Sequence, residues 1–129
     1  MKFLIFFIVI LVVIFGGVIY WAKNSSPKAS PEIVAFAQCL GSKNITMYGA
    51  VWCPWCKKEK AAFGDAFKFV PYVECPENQA KCKALGVESF PTWIFPDGSA
   101  SSPQAGKKLV GYQGLSKLSE VSGCSLSGR

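Results

Sequence analysis

The stretch Ile45-Thr46-Met47-Tyr48-Gly49-Ala50-Val51-Trp52-Cys53-Pro54-Trp55-Cys56-Lys57-Lys58-Glu59-Lys60-Ala61-Ala62-Phe63 decides how the chain is read. Its first seven residues are mostly apolar and strand-like; its last seven are rich in helix formers. The two cysteines therefore fall at a strand-to-helix junction. Cys53 is expected at the helix N-cap, where unsatisfied backbone N–H groups and the helix dipole favour a thiolate. Pro54 suits the first helical turn, where its missing N–H costs nothing. Cys56 then lies one turn on, on the same face, close enough to close a short disulfide with Cys53. The pattern suits thiol–disulfide exchange.

Working outward, Pro31 to Leu40 reads as a short helix, with Ile33, Val34, Phe36, Ala37 and Leu40 as its apolar face, Ser30 as cap and Gly41 as its end. The helix that opens at the cysteines carries Phe63, Ala66, Phe67 and Val70 at helical spacing until Pro71 stops it. Tyr72 to Cys75 is a second strand, Asn78 to Leu85 a second helix closed by Gly86, and Thr92 to Phe95 a third strand. A turn at Pro96-Asp97-Gly98 and a Ser/Gly-containing loop to Gly106 lead to a fourth strand, Lys108 to Tyr112. Leu115, Leu118 and Val121 mark a final helix with Gly123 past its end. The order is a helix followed by β-α-β-α-β-β-α, an α/β pattern with one parallel crossover pair and a closing hairpin. Tyr48, Phe63, Phe67, Trp93 and Phe95 are expected in the core.

At 129 residues the chain has room for one domain. From Phe3 to Trp21 it carries no charge. Nineteen residues of helix span roughly 28 Å, the hydrocarbon thickness of a bilayer. The run is long for a cleaved signal peptide and exits through Tyr20 and Trp21, so residues 1–21 are read as a transmembrane anchor. Residues 22–30 form a polar linker and 31–129 the domain itself. Lysines flank the span on both sides, which leaves orientation open on charge alone. Six cysteines, none within the span, favour an oxidising, extracytoplasmic compartment for the domain. The net charge of +6 comes from scattered lysines without an aromatic stripe, so no nucleic-acid partner is expected.

The element order, Trp52-Cys53-Pro54-Trp55-Cys56 after the first strand and Phe90-Pro91-Thr92 before the third together resemble the thioredoxin superfamily over roughly Ile33 to Cys124. That resemblance implies a cis proline at Pro91 facing the disulfide, with Phe90 offering backbone groups to a bound substrate. Phe36-Ala37-Gln38-Cys39-Leu40, Met47-Tyr48-Gly49-Ala50, Phe63-Gly64, Val70-Pro71-Tyr72-Val73-Glu74-Cys75 and Phe90-Pro91-Thr92-Trp93 are similar, more closely, to the thioredoxin-like domain fused to or partnered with bacterial and plant homologues of vitamin K epoxide reductase. This implies disulfide exchange with a quinone-linked membrane enzyme, which here would be a separate protein. The chain departs from the family twice. Met47 stands where thioredoxins carry a buried acid, and Pro54-Trp55 replaces the Pro-His of the strong oxidants, in a chain without histidine. The redox direction is therefore left open by the sequence.

Catalysis is assigned to Cys53 and Cys56, and substrate contact to Trp52, Trp55, Phe90 and Pro91. Lys57 is either an electrostatic aid to the thiolate or a plain surface lysine. Glu59 is near enough in sequence to be considered as a proton handler and is assigned no role. Cys75 and Cys82 flank a six-residue loop, and Cys39 and Cys124 lie near the two ends of the domain. Spacing alone leaves three pairings of these four open; Cys39–Cys124 with Cys75–Cys82 is favoured. The competing use of the cysteines is metal binding, since Cys-x2-Cys-x18-Cys-x6-Cys loosely follows zinc spacing, but the last gap is long for a knuckle. No metal and no cofactor is expected. The reading is a membrane-anchored thiol–disulfide oxidoreductase acting on exported proteins. Its alternatives are a tethered reductase, as in cytochrome maturation, and a non-enzymatic metal-binding or interaction module.

Overall fold

The computed structural model describes residues 1–24, 27–96 and 106–126. An N-terminal helix, α1 (Lys2–Asn24), is followed by α2 (Pro31–Ser42), β1 (Thr46–Gly49), α3 (Pro54–Phe63), a 3₁₀ segment (Gly64–Phe69), β2 (Tyr72–Glu74), α4 (Gln79–Ala84), β3 (Thr92–Ile94), β4 (Lys108–Val110) and α5 (Gly114–Ser122). The fold is mixed α/β around a four-stranded sheet of order β2-β1-β3-β4. β1 pairs parallel to β2 and antiparallel to β3, and β3 pairs antiparallel to β4.

Alternation along the strands divides the core between the two faces of the sheet. Met47 and Trp93 point into the larger cluster, with Phe36 and Leu40 of α2, Cys56 and Phe63 of α3 and Leu118 and Val121 of α5. Tyr48 and Ile94 point the other way, toward Cys75, Cys82 and Leu85 beside α4. Phe36 stacks on Phe63 at 5.8 Å, and Phe67 meets Phe63 edge-on from its half-buried position. The helix α1 is exposed throughout its apolar length, and its segment Lys2–Lys23, with a mean hydropathy of 3.1, is long and apolar enough to cross a membrane.

Several boundaries differ from the expectation. Gly41 does not end α2, which runs on to Ser42; Gly41 instead lets the backbone of Phe69 approach, since a Cβ there would meet the Phe69 carbonyl at 2.5 Å. Ser30 occupies the N-cap of α2 but its side chain makes no capping bond. The helix after the cysteines is not continuous to Val70. It stops at Gly64, whose φ of +59° excludes it from the helix and whose missing Cβ admits the carbonyl of Pro27. Asp65 N–H donates to that carbonyl at 3.0 Å, and Ala29 N–H donates to Asp65 Oδ1 at 2.7 Å. Residues 27 to 29, the described part of the expected linker next to α2, are thus fastened to the start of the 3₁₀ segment. Gly123 closes α5 in the left-handed conformation. The turn expected at 96–98 and the loop to Gly106 fall largely on residues 97–105, outside the described residues, as do Ser25 and Ser26 of the linker.

Candidate active site

The site is built where β1 ends. After Gly49 the chain turns through Ala50–Trp52, with Cys53 N–H donating to the Ala50 carbonyl at 3.0 Å, and Pro54 opens α3. Cys53 is the N-cap residue: its Sγ accepts from the Cys56 N–H at 3.3 Å, filling one of the donors that a helix start leaves open. From the opposite side the Cys53 thiol faces the carbonyl of Phe90 at 3.7 Å. The Phe90–Pro91 peptide is cis, and the Pro91 side chain is buried.

Cys53 and Cys56 are both unbonded thiols and both buried, but not equally: Cys53 keeps 4% of its surface and Cys56 none. Burial, and then the hydrogen bond with Cys53, push the Cys56 thiol up to about 12. The remaining described cysteines are spent on each other. Cys39 is bonded to Cys124, joining α2 to the end of α5, and Cys75 to Cys82, joining β2 to α4. Cys75 and Cys82 thus have no thiolate to offer a metal beside Cys53 and Cys56. Among the described residues no group of three or more His, Cys, Asp or Glu is placed to hold a metal ion.

Aromatic side chains surround the opening. Trp52 and Trp55 are both exposed, and neither joins the core. Trp52 meets half-buried Phe90 edge-on at 5.9 Å, on the rim of a groove of about 460 Å³ that continues past Pro76, Val87 and the Cys75–Cys82 bond. On the other side Trp55 lies 6.2 Å from Tyr112, with the Lys58 ammonium over both rings. Trp52, Phe90, Pro91 and Trp55 are therefore gathered around the cysteine pair. Lys57 is exposed on α3.

Glu59, near in sequence, points elsewhere. Its fully buried carboxylate accepts from the N–H groups of Gln113 at 2.7 Å and Gly114 at 2.9 Å, and so caps α5 from a different helix. Burial pushes its pKa up; the two backbone donors act against that shift, as does the Trp93 indole, although its N–H makes no well-formed hydrogen bond.

Three residues that sequence reading did not single out stand behind Cys56. Tyr72 donates its phenol proton to Glu74 Oε2 at 2.5 Å, while Glu74 Oε1 accepts from the Val51 N–H at 2.8 Å. The Lys60 ammonium sits over the Tyr72 ring, 3.5 Å from its centre. Burial lowers the Lys60 pKa, while Glu74 and Cys56 act to raise it; burial and the bond to Glu74 raise that of Tyr72. No periodicity announces this group, because Lys60 comes from α3 and the other two from β2.

No family model matches the chain. Over 116 residues, 83% of its length, it is 37% identical to a protein of Arabidopsis thaliana named thiol-disulfide oxidoreductase LTO1. The chain spans only 28% of the length of that relative.

Proposed function

We propose that the chain is a thiol–disulfide oxidoreductase, tethered to a membrane through residues 1–21, whose domain from residue 31 to 129 has a thioredoxin-like fold and acts on exported proteins from the extracytoplasmic side. One arrangement carries the reading. Two unbonded cysteines stand at the start of α3, the outer one facing the Phe90 carbonyl, while the other four described cysteines are locked in disulfides. The relation to a protein named for this activity supports it.

In the reducing direction Cys53, as thiolate, attacks one sulfur of a substrate disulfide, and the other substrate sulfur leaves with the electron pair and takes a proton. The resulting mixed disulfide at Cys53 is resolved by Cys56, which forms the Cys53–Cys56 bond and releases the second substrate thiol. In the oxidising direction a substrate thiolate attacks the Cys53–Cys56 disulfide and the substrate's second thiol releases the enzyme. Backbone groups of Phe90 and the exposed rings of Trp52 and Trp55 hold the substrate chain across the pair. The favoured direction is oxidation, with the dithiol re-oxidised by a vitamin K epoxide reductase-like, quinone-linked membrane protein. This part rests on the sequence resemblance and on an apolar helix that keeps the domain at the membrane.

The test is disulfide exchange with insulin. Exchange by the full chain is expected to be lost in Cys53→Ser, and exchange that survives this change would overturn the site. The direction is read from the equilibrium potential of the Cys53–Cys56 pair against glutathione. A value near about −120 mV supports disulfide donation, and one near about −270 mV makes the protein a reductase.

A further inference from the structure

Cys56 is shut off from solvent, yet in the exchange reaction it must lose a proton each time it resolves a mixed disulfide. Buried thiols do not ionise readily, and this one has an apolar wall on most sides. An internal acceptor with its own outlet to water would remove the difficulty. The structure places one beside it.

Gly49 marks the point of closest approach. A Cβ added there would lie 2.8 Å from Cys56 Sγ, 3.2 Å from Cε2 of Tyr72 and 3.4 Å from the Tyr72 hydroxyl, so thiol and phenol flank the same bare stretch of backbone. The phenol hydroxyl is already committed as a donor to Glu74, which leaves its oxygen lone pairs as acceptors. Glu74 is half-buried at the end of β2, and its second oxygen is held by the Val51 N–H in the turn that leads into the cysteines. Lys60, one turn beyond Cys56 on α3, covers the Tyr72 ring and interacts with both Glu74 and Cys56. The groups that face Cys56 are thus Cys53, Lys60 and Tyr72, with Glu74 reached through the last two.

Building on the oxidoreductase reading, we propose that Tyr72 and Glu74 form the proton relay of Cys56, with Lys60 holding the relay in place. As Cys56 Sγ attacks the Cys53–substrate disulfide, its proton passes to the Tyr72 oxygen while the phenol proton passes to Glu74. The Cys56–Cys53 bond forms, the bond from Cys53 to the substrate breaks, and the electron pair leaves on the substrate thiolate, which takes a proton from water. Glu74 then returns its proton to solvent. Reduction of the pair runs the same transfers backwards. Tyr72 keeps its proton at rest, because burial and its bond to Glu74 disfavour the phenolate, so it acts as a conduit and not as a free base. Glu74 and Lys60 act through Tyr72 and are positioning residues.

Two-step release of thionitrobenzoate tests this. The full chain in detergent micelles, with Cys53 and Cys56 reduced, is mixed with the aromatic disulfide 5,5′-dithiobis(2-nitrobenzoate). The first equivalent reports attack by Cys53, the second resolution by Cys56. Tyr72→Phe, which keeps the ring under Lys60, is expected to slow the second release at least about tenfold near neutral pH and to leave the first within about twofold. The deficit should shrink as pH rises and hydroxide replaces the relay. Glu74→Gln should give the same pattern, which covers the case in which one variant folds poorly. A second release equal to that of the unaltered chain across the pH range, or a slowing of both releases alike, would overturn the relay. No first release from the unaltered chain would overturn the oxidoreductase reading itself.

Discussion

The carboxylate of Glu59 accepts a 2.9 Å hydrogen bond from the backbone N–H of Gly114, fifty-five residues further along the chain. Together with its bond to Gln113 N–H, this makes a side chain of α3 the cap of α5, a helix whose own N-cap residue supplies no side-chain bond. The buried acid beside the redox motif thus serves the packing of two helices.

Stability should therefore depend on pH through Glu59. Its folded pKa is raised above the ordinary carboxylate value of 4.5, mainly by burial. A raised folded value means that its contribution is fully present below the unfolded pKa and is lost as pH climbs through the folded one. Thermal unfolding followed by tryptophan fluorescence should show stability falling as pH rises above about 4.5, and Glu59→Gln should flatten that slope. Glu59→Ala leaves two backbone donors open and is expected to cost about 2–4 kcal/mol at low pH and less as the pH rises through the folded pKa of Glu59. An unchanged slope in Glu59→Gln would mean that another group carries the dependence.

The two disulfides should differ in worth because the loops they close differ. Cys39–Cys124 bridges a sequence separation of 85 and Cys75–Cys82 one of 7. On chain entropy, losing the first costs about 4–5 kcal/mol and losing the second about 2 kcal/mol. Denaturant unfolding of the paired serine variants, Cys39→Ser with Cys124→Ser and Cys75→Ser with Cys82→Ser, measures both. Equal losses would show that residual structure or strain, and not loop closure, sets their contributions.

How far the sequence carries can be judged residue by residue. The placement of Cys53 at a helix start followed from local rules: an apolar run, a proline at the first helical position and helix formers beyond it. The strands and helices among the described residues were legible from equally local patterns of apolar spacing and turn residues. The break at Gly64 was not, because the Phe63, Ala66, Phe67 and Val70 spacing is that of a continuous helix; what stops it is the Pro27 carbonyl, from a segment 37 residues earlier in the chain. Met47 signalled that the acid of thioredoxins is lacking at its position on β1. Nothing local said that Glu74, on the neighbouring parallel strand, would reach the turn at Val51, or that Lys60 would cover Tyr72. Strand pairing and helix rotation together make that cluster, and neither is written in one segment.

The two thiols of the reduced pair should react unequally. Cys53 retains a little exposure at the mouth of the site, whereas Cys56 is sealed and its thiol is pushed up to about 12 by burial and by Cys53. Only thiolates alkylate at useful rates. Brief treatment of the native, reduced chain with iodoacetamide near pH 7.5 should add one group, on Cys53, as read by peptide mass spectrometry. Cys56 should be labelled only in strongly alkaline solution or after denaturation. Equal labelling at neutral pH would show that the site opens far more than its geometry allows.

Gly49 is where the smallest side chain should do the most damage. Its backbone is ordinary for a strand end, so the constraint is space alone: an added Cβ would lie 2.8 Å from Cys56 Sγ and 3.2 Å from the Tyr72 ring. The sulfur has little room to give way, since Cys56 is fully buried in the same core cluster as Phe63 and Trp93. Gly49→Ala is therefore expected to cost about 1–3 kcal/mol through overpacking. It should also displace Cys56 from Cys53 and slow closure of their disulfide. Denaturant unfolding of the reduced protein reads the first effect, and thiol trapping after a pulse of oxidised glutathione reads the second. A variant as stable as the original and closing as fast would mean that the packing of Cys56 against Gly49 is looser than these contacts imply.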